Sequence, residues 1–191
     1  MRWVHFVVAM VLLAACQTST FNYQQFSARE QKIDEFTAEA SRKIRQETGL
    51  RLIGTGGGVI GEKRLVRKLN MSFSHYGVVT MEEGREFVIY CVQEYLSAIN
   101  GCEEIREELV HYPFTPRDVE INLFIRGPKN ENVPIGELNI ISALNGILEY
   151  DIEQPGIPSM KEIHRETYGE ALKIVEEKDP SMQLIKKVNK Q

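Results

Sequence analysis

Two stretches of strict alternation constrain this chain more than any other feature. Val119, Ile121, Leu123 and Ile125 interleave with Glu120 and Asn122, and Leu69, Met71 and Phe73 interleave with Lys68, Asn70, Ser72 and Ser74. Successive side chains of a strand point to opposite faces, so a period of two describes a sheet with one dry and one wet face. Such a sheet is expected to be antiparallel, with helices covering its dry side. A third alternating pair confirms the theme. Leu138, Ile140 and Leu144 precede Asn145-Gly146, and Leu148, Tyr150 and Ile152 follow it. Asn-Gly between two such runs predicts a tight hairpin, because both turn positions need positive φ. Leu50 to Ile60 reads as a further strand, loosened by its glycines.

Three hydroxyl residues, each followed three positions later by glutamate, predict helix starts: Ser27–Glu30, Thr80–Glu83 and Ser159–Glu162. The hydroxyl accepts from an orphan N–H of the first turn, and the glutamate reaches back to the cap's own N–H. The first helix runs to about Thr48, with Ile33, Phe36, Ala40 and Ile44 on one stripe and Gly49 as its left-handed cap. The second spans Met81 to Ile99. Its broad apolar face of Phe87, Val88, Cys91, Val92, Tyr95, Leu96 and Ile99 marks it as the central buried helix. A short acidic turn, Glu103 to Leu109, follows. The third is expected from Ser159 to just before Asp179-Pro180, using Met160, Ile163, Ala171, Ile174 and Val175. The fold class is therefore α+β. Two layers are expected, an antiparallel sheet of about five strands with three main helices on one face, in the order α-β-β-α-β-β-β-α.

The N-terminus is of another kind. Val4 to Ala15 is apolar apart from His5, and Arg2 precedes it. A membrane-spanning helix needs about 20 apolar residues, so this run is too short to cross. Its parts fit a secretory signal: a basic start, an apolar centre and the small residues Ala14 and Ala15. Leu13-Ala14-Ala15-Cys16 then resembles the lipobox of bacterial lipoproteins. That resemblance covers the first sixteen residues only. It implies cleavage before Cys16, a diacylglycerol on the Cys16 sulfur and acylation of the new amine. It also implies a cell-envelope location, with the membrane as partner through that lipid. Gln17, where many inner-membrane lipoproteins carry Asp, favours the outer membrane over the inner. One acyl chain anchors weakly at roughly 0.8 kcal/mol per buried methylene, whereas two or three hold durably.

The domain organisation follows. Residues 1–15 form the signal peptide, and 16–26 the lipidated cysteine with a polar, uncharged tether. Residues 27–178 form one globular domain, and 179–191 a basic tail with Lys186, Lys187 and Lys190. The roughly 165 residues after the tether suit one full core. Removing residues 1–15 takes away one basic residue and leaves 22 basic against 27 acidic, a net charge of −5. No Lys/Arg-rich face suggests nucleic acid as a partner.

No catalytic, cofactor or metal motif stands out. Gly54-Thr-Gly-Gly-Gly58 resembles a phosphate cradle only in composition. A nucleotide loop must lead into a helix N-terminus, and here turn and strand follow. The glycines are expected to make a β-bulge or a close backbone crossing, and their strand is a place where a partner could add another. His75, His111 and His164 lack metal-ligand spacing, and neither HExxH nor CxxC occurs. Cys91 lies inside a helix, away from the N-terminal position that stabilises a thiolate. Cys91 and Cys102 would lie about 16 Å apart along one helix, beyond the ~7 Å reach of a disulfide, so both are expected to be free. Glu82, Glu83, Glu103, Glu104, Glu107 and Glu108 sit in helical first turns, where the macrodipole favours them. The leading expectation is a lipid-anchored envelope module that binds a protein, an envelope polymer or a small ligand. An envelope hydrolase is the alternative, and it requires His75, His111 or Cys91 to meet a carboxylate in a shared cleft. A structural, oligomerising role through an exposed strand edge is the third.

Overall fold

The computed structural model describes residues 27–178. The expected signal peptide, Cys16, the tether and the basic tail lie outside the described residues. Helix α1 spans Ala28–Thr48. Strands β1 (Arg51–Ile60) and β2 (Leu65–Tyr76) lead into α2 (Met81–Gly101). A short 3₁₀ turn, Glu103–Glu108, precedes β3 (Val119–Arg126), β4 (Leu138–Leu144), β5 (Ile147–Gln154) and β6 (Ile157–Thr167), and α3 (Tyr168–Lys178) closes the domain. The strands form one open six-stranded sheet in chain order. The fold is the expected two-layer α+β arrangement, with one strand more than expected. Among the described residues, no helix is long and apolar enough to cross a membrane.

The local signals at α1 and α2 act as read. Ser27 and Thr80 each form a complete capping box, with Glu30 and Glu83 respectively. Gly49 adopts φ 74° and ends α1. Asn145 and Gly146 both take positive φ, 55° and 77°, and turn β4 into β5. Leu69, Met71 and Phe73 of β2 and Val119, Ile121, Leu123 and Ile125 of β3 are buried on the helix side. Lys68, Asn70, Ser72, Glu120, Asn122 and Phe124 make the half-buried opposite face. Helix α2 fills the centre with Val88, Ile89, Val92, Tyr95 and Ile99, all nearly inaccessible. It lies so close to β4 that a Cβ on Gly84 would stand 2.2 Å from Ile141 Cδ1. Lys43–Glu94 and Lys178–Glu86, each at 2.6 Å, tie α1 and α3 to α2.

Two expectations need correction. The sheet is not wholly antiparallel, because β2 and β3 run parallel, from Leu69 opposite Val119 to Tyr76 opposite Arg126. Alternation reports which face is wet and not strand direction. Here the chain leaves β2 through α2 and returns to the end it started from, and such a crossover delivers a parallel neighbour. The third helix starts at Tyr168, not after Ser159. Residues 157–167 form β6 on β5, with Tyr150 opposite His164 and Leu148 opposite Glu166. The pairing skips Ile163, since Asp151 lies opposite Glu162. That bulge breaks the alternation and leaves Met160 and Ile163 at a helix-like spacing of three. The real cap is Thr167: its hydroxyl accepts from Glu170 N–H at 3.2 Å, and its own N–H donates to Glu170 Oε2 at 2.8 Å.

Candidate binding groove between α1 and β1

The glycine run of β1 opens a groove on the helix-facing side. Gly57 lies opposite Leu69, and Gly56 opposite Asn70. A Cβ on Gly57 would stand 2.9 Å from both Leu69 Cδ2 and the Lys68 carbonyl oxygen, so only glycine lets the strands cross this closely. Ile53 is bulged out of the pairing with β2. The run is thus both the bulge and the close crossing expected from its composition.

The same glycines leave a hole. Thr55, Gly57 and Val59 are the β1 positions that share the helix side with Met71, Leu69 and Val66. None of the three is large enough to reach α1. Between α1 and β1 lies a cavity of about 270 Å³. Its floor is Val66, Leu69 and Tyr95, and its α1 wall is Ile33, Asp34 and Thr37. The Tyr95 hydroxyl meets Thr37 Oγ1 at 3.2 Å. Burial pushes the Tyr95 phenol up to about 12, so it stays neutral at ordinary pH. Charge lies on the wall, at Asp34, and around the mouth. Arg29 donates to the Arg64 carbonyl oxygen at 2.9 Å and pairs with Glu108 at 3.3 Å. Glu30 is held below the usual carboxylate range by the Ser27 N–H and hydroxyl. An apolar floor with one hydroxyl pair and a charged rim suits a small amphipathic group, in a space just below the roughly 300–1,000 Å³ seen in ligand sites.

The sequence-stated candidates do not assemble into one site. His111 Nε2 lies 3.0 Å from Asp118 Oδ2. The same Asp118 oxygen accepts from the Thr115 N–H and hydroxyl at 2.8 and 2.7 Å, which makes the pair a staple of the loop before β3. His75 packs its ring on Phe87 with centroids 5.4 Å apart, and burial lowers its pKa. Cys91 is buried in α2, and that burial pushes its thiol far up, away from thiolate chemistry. Cys91 and Cys102 are free. His111 thus meets a carboxylate, Asp118, within hydrogen-bond reach, while His75 packs on Phe87 and Cys91 in the α2 core, so the three residues do not share one site. Among the described residues, no group of three or more His, Cys, Asp or Glu is placed to hold a metal ion. Cys16, the expected lipid site, lies outside the described residues.

One cluster escaped the sequence reading. Arg85 of α2 donates through Nε to Glu166 Oε1 of β6 at 2.7 Å, and the Tyr150 hydroxyl donates to the same oxygen. His164 Nε2 stands 3.7 Å from the other Glu166 oxygen, with its ring 5.2 Å from that of Tyr150. Arg85, Tyr150 and Glu166 are all buried. Burial and the Glu166 carboxylate together raise the Tyr150 phenol well above its ordinary value. Burial is the largest single influence on Arg85 and works against its charge, but the bond to Glu166 and the charges of Tyr150, Glu166 and Glu82 together outweigh it and the guanidinium pKa is raised. The cluster clamps α2 to β6. Its partners are 81 and 16 residues apart in the chain, so no local motif announces it.

The chain matches no family model, no curated protein and no solved structure.

Proposed function

We propose that this protein is a lipid-anchored bacterial envelope lipoprotein whose domain works by binding. The observation that carries the anchor is Leu13-Ala14-Ala15-Cys16 at the exit of an apolar run headed by Arg2. The membrane would then be its partner through lipid on Cys16, in the outer membrane rather than the inner on the evidence of Gln17. The groove between α1 and β1 supports the binding role, since it joins an apolar floor and a buried hydroxyl pair to a charged rim. Its ligand would be a small group or a side chain of a protein or envelope polymer, apolar at the tip and polar at the stem. Radiolabelled palmitate should enter the wild-type protein in a bacterial host and not the Cys16→Ala variant, which should leave the membrane fraction. Equal labelling of both would overturn the anchor. For the binding role, a photo-crosslinking residue at Thr55 should capture an envelope component, and the same residue at the exposed Ile135 should not. Identical capture at both positions would overturn the groove as the site.

A further inference from the structure

Among the described residues the sheet has two free edges, and they are built differently. Strand β6 carries Lys161, Glu162 and Arg165 and a bulge at Ile163, the means by which proteins protect an edge from further pairing. Strand β1 carries no charged residue between Arg51 and Glu62 and no proline. Its ten residues are almost entirely exposed, including Ile53 at 57% and Val59 at 43%. A long, uncharged edge with unpaired backbone groups is a template for another strand.

The pattern along β1 names that strand. A twofold axis through Gly56 sets Gly54 opposite Gly58 and Thr55 opposite Gly57. It brings the Leu52–Ile53 end of each strand against the Val59–Ile60 end of the other. Small residues meet small ones at the centre, where the backbones must approach, and apolar residues meet apolar ones at both ends. Such a contact is isologous and closes at two copies. We infer that the protein forms a homodimer by antiparallel pairing of two β1 edges about Gly56, joining two six-stranded sheets into one. The pairing does not depend on lipid at Cys16.

The test uses the full chain in detergent micelles. Light scattering corrected for detergent should give the mass of two chains, for the Cys16→Ala variant as well. Ile53→Lys with Val59→Lys sets lysines against each other at both ends of the paired edge, where like charges repel. This variant should be monomeric while keeping the wild type's circular dichroism spectrum, and its melting temperature, unlike that of the wild type, should not rise with protein concentration. Gly56→Cys in a Cys102→Ser background places two thiols directly opposite, at a spacing of roughly 4.5–5.5 Å between Cβ atoms. It should oxidise to a covalent dimer, while Ile135→Cys in the same background should not. A wild-type monomer at every concentration would overturn the inference. So would a dimer that ignores the lysine pair, or cross-linking at residue 135 but not at residue 56.

Discussion

Gly84→Ala should destabilise the domain despite replacing the poorest interior helix former but proline with the best. Alanine at an ordinary helix position gains about 1 kcal/mol over glycine. Here the new Cβ would stand 2.2 Å from Ile141 Cδ1, far inside van der Waals contact. Ile141 is wholly inaccessible, so its terminal methyl can yield only by displacing neighbours. Forcing a methyl into a filled core costs about 1–3 kcal/mol, which leaves a net loss of about 1 kcal/mol. The next atom of Ile141, Cγ1, is 3.7 Å away, and Val79 Cγ2 is 3.9 Å away, both ordinary contacts. Trimming Ile141 to valine removes only the clashing methyl, at a cost of about 0.5–1.5 kcal/mol on its own. In that background Gly84→Ala should become stabilising by about 1 kcal/mol. Urea titrations of the four proteins, followed by circular dichroism, give the cycle. A coupling of about 2 kcal/mol is expected. Additivity within about 0.5 kcal/mol would show that Ile141 rotates away freely and that the close approach of α2 to β4 does not require glycine.

Removing Glu166 leaves the Arg85 charge buried without its partner, so Glu166→Ala should cost about 3–5 kcal/mol. Arg85→Met with Glu166→Leu and Tyr150→Phe removes the three buried polar members together and should recover most of that loss in the same titration; a triple variant as unstable as the single one would refute the clamp. For His75, burial favours the neutral ring, so its folded pKa lies below the ordinary 6.5. As pH falls through 6.5 the unfolded chain takes up this proton first, and stability drains from there down to the folded pKa, with no contribution from His75 above that window. Thermal melts between pH 7 and pH 5 should therefore be less pH-sensitive for His75→Gln than for the wild type; parallel curves would refute the assignment.

Local chemistry was legible and long-range chemistry was not. Ser27–Glu30 and Thr80–Glu83 act within four residues, so the caps could be read directly. Asn145-Gly146 likewise needs only itself and its flanking strands. Ser159–Glu162 has the same letters and forms no cap, because pairing with β5 outweighs a propensity worth tenths of a kcal/mol. The signal that could have warned of β6 is Pro155-Gly156, a turn pair that joins Gln154 to Ile157 with Gly156 at φ 71°. Arg85 and Glu166 carry no local signal, and only the packing of α2 against β6 makes them a buried pair. The glycines of β1 were legible as a loosened strand. The groove beside them exists only because α1 stands where it does.

The division of labour in the fold bears on where binding can occur. Where α2 meets β4 and β6 the packing is tight, down to a helix–strand approach that tolerates no methyl group and a buried ion pair. Chemistry-bearing residues there, Cys91 and the Arg85–Glu166–Tyr150 cluster, are spent on packing and clamping. At β1 the opposite holds, because a strand without large side chains forfeits the contacts that would seal it to α1. A ligand that fills such a corner gains contacts without displacing any. Occupancy of the groove should therefore slow amide exchange in β1 and in the first half of α1 while leaving α2 and β3 unchanged. Protection spread evenly over the sheet would place the ligand elsewhere.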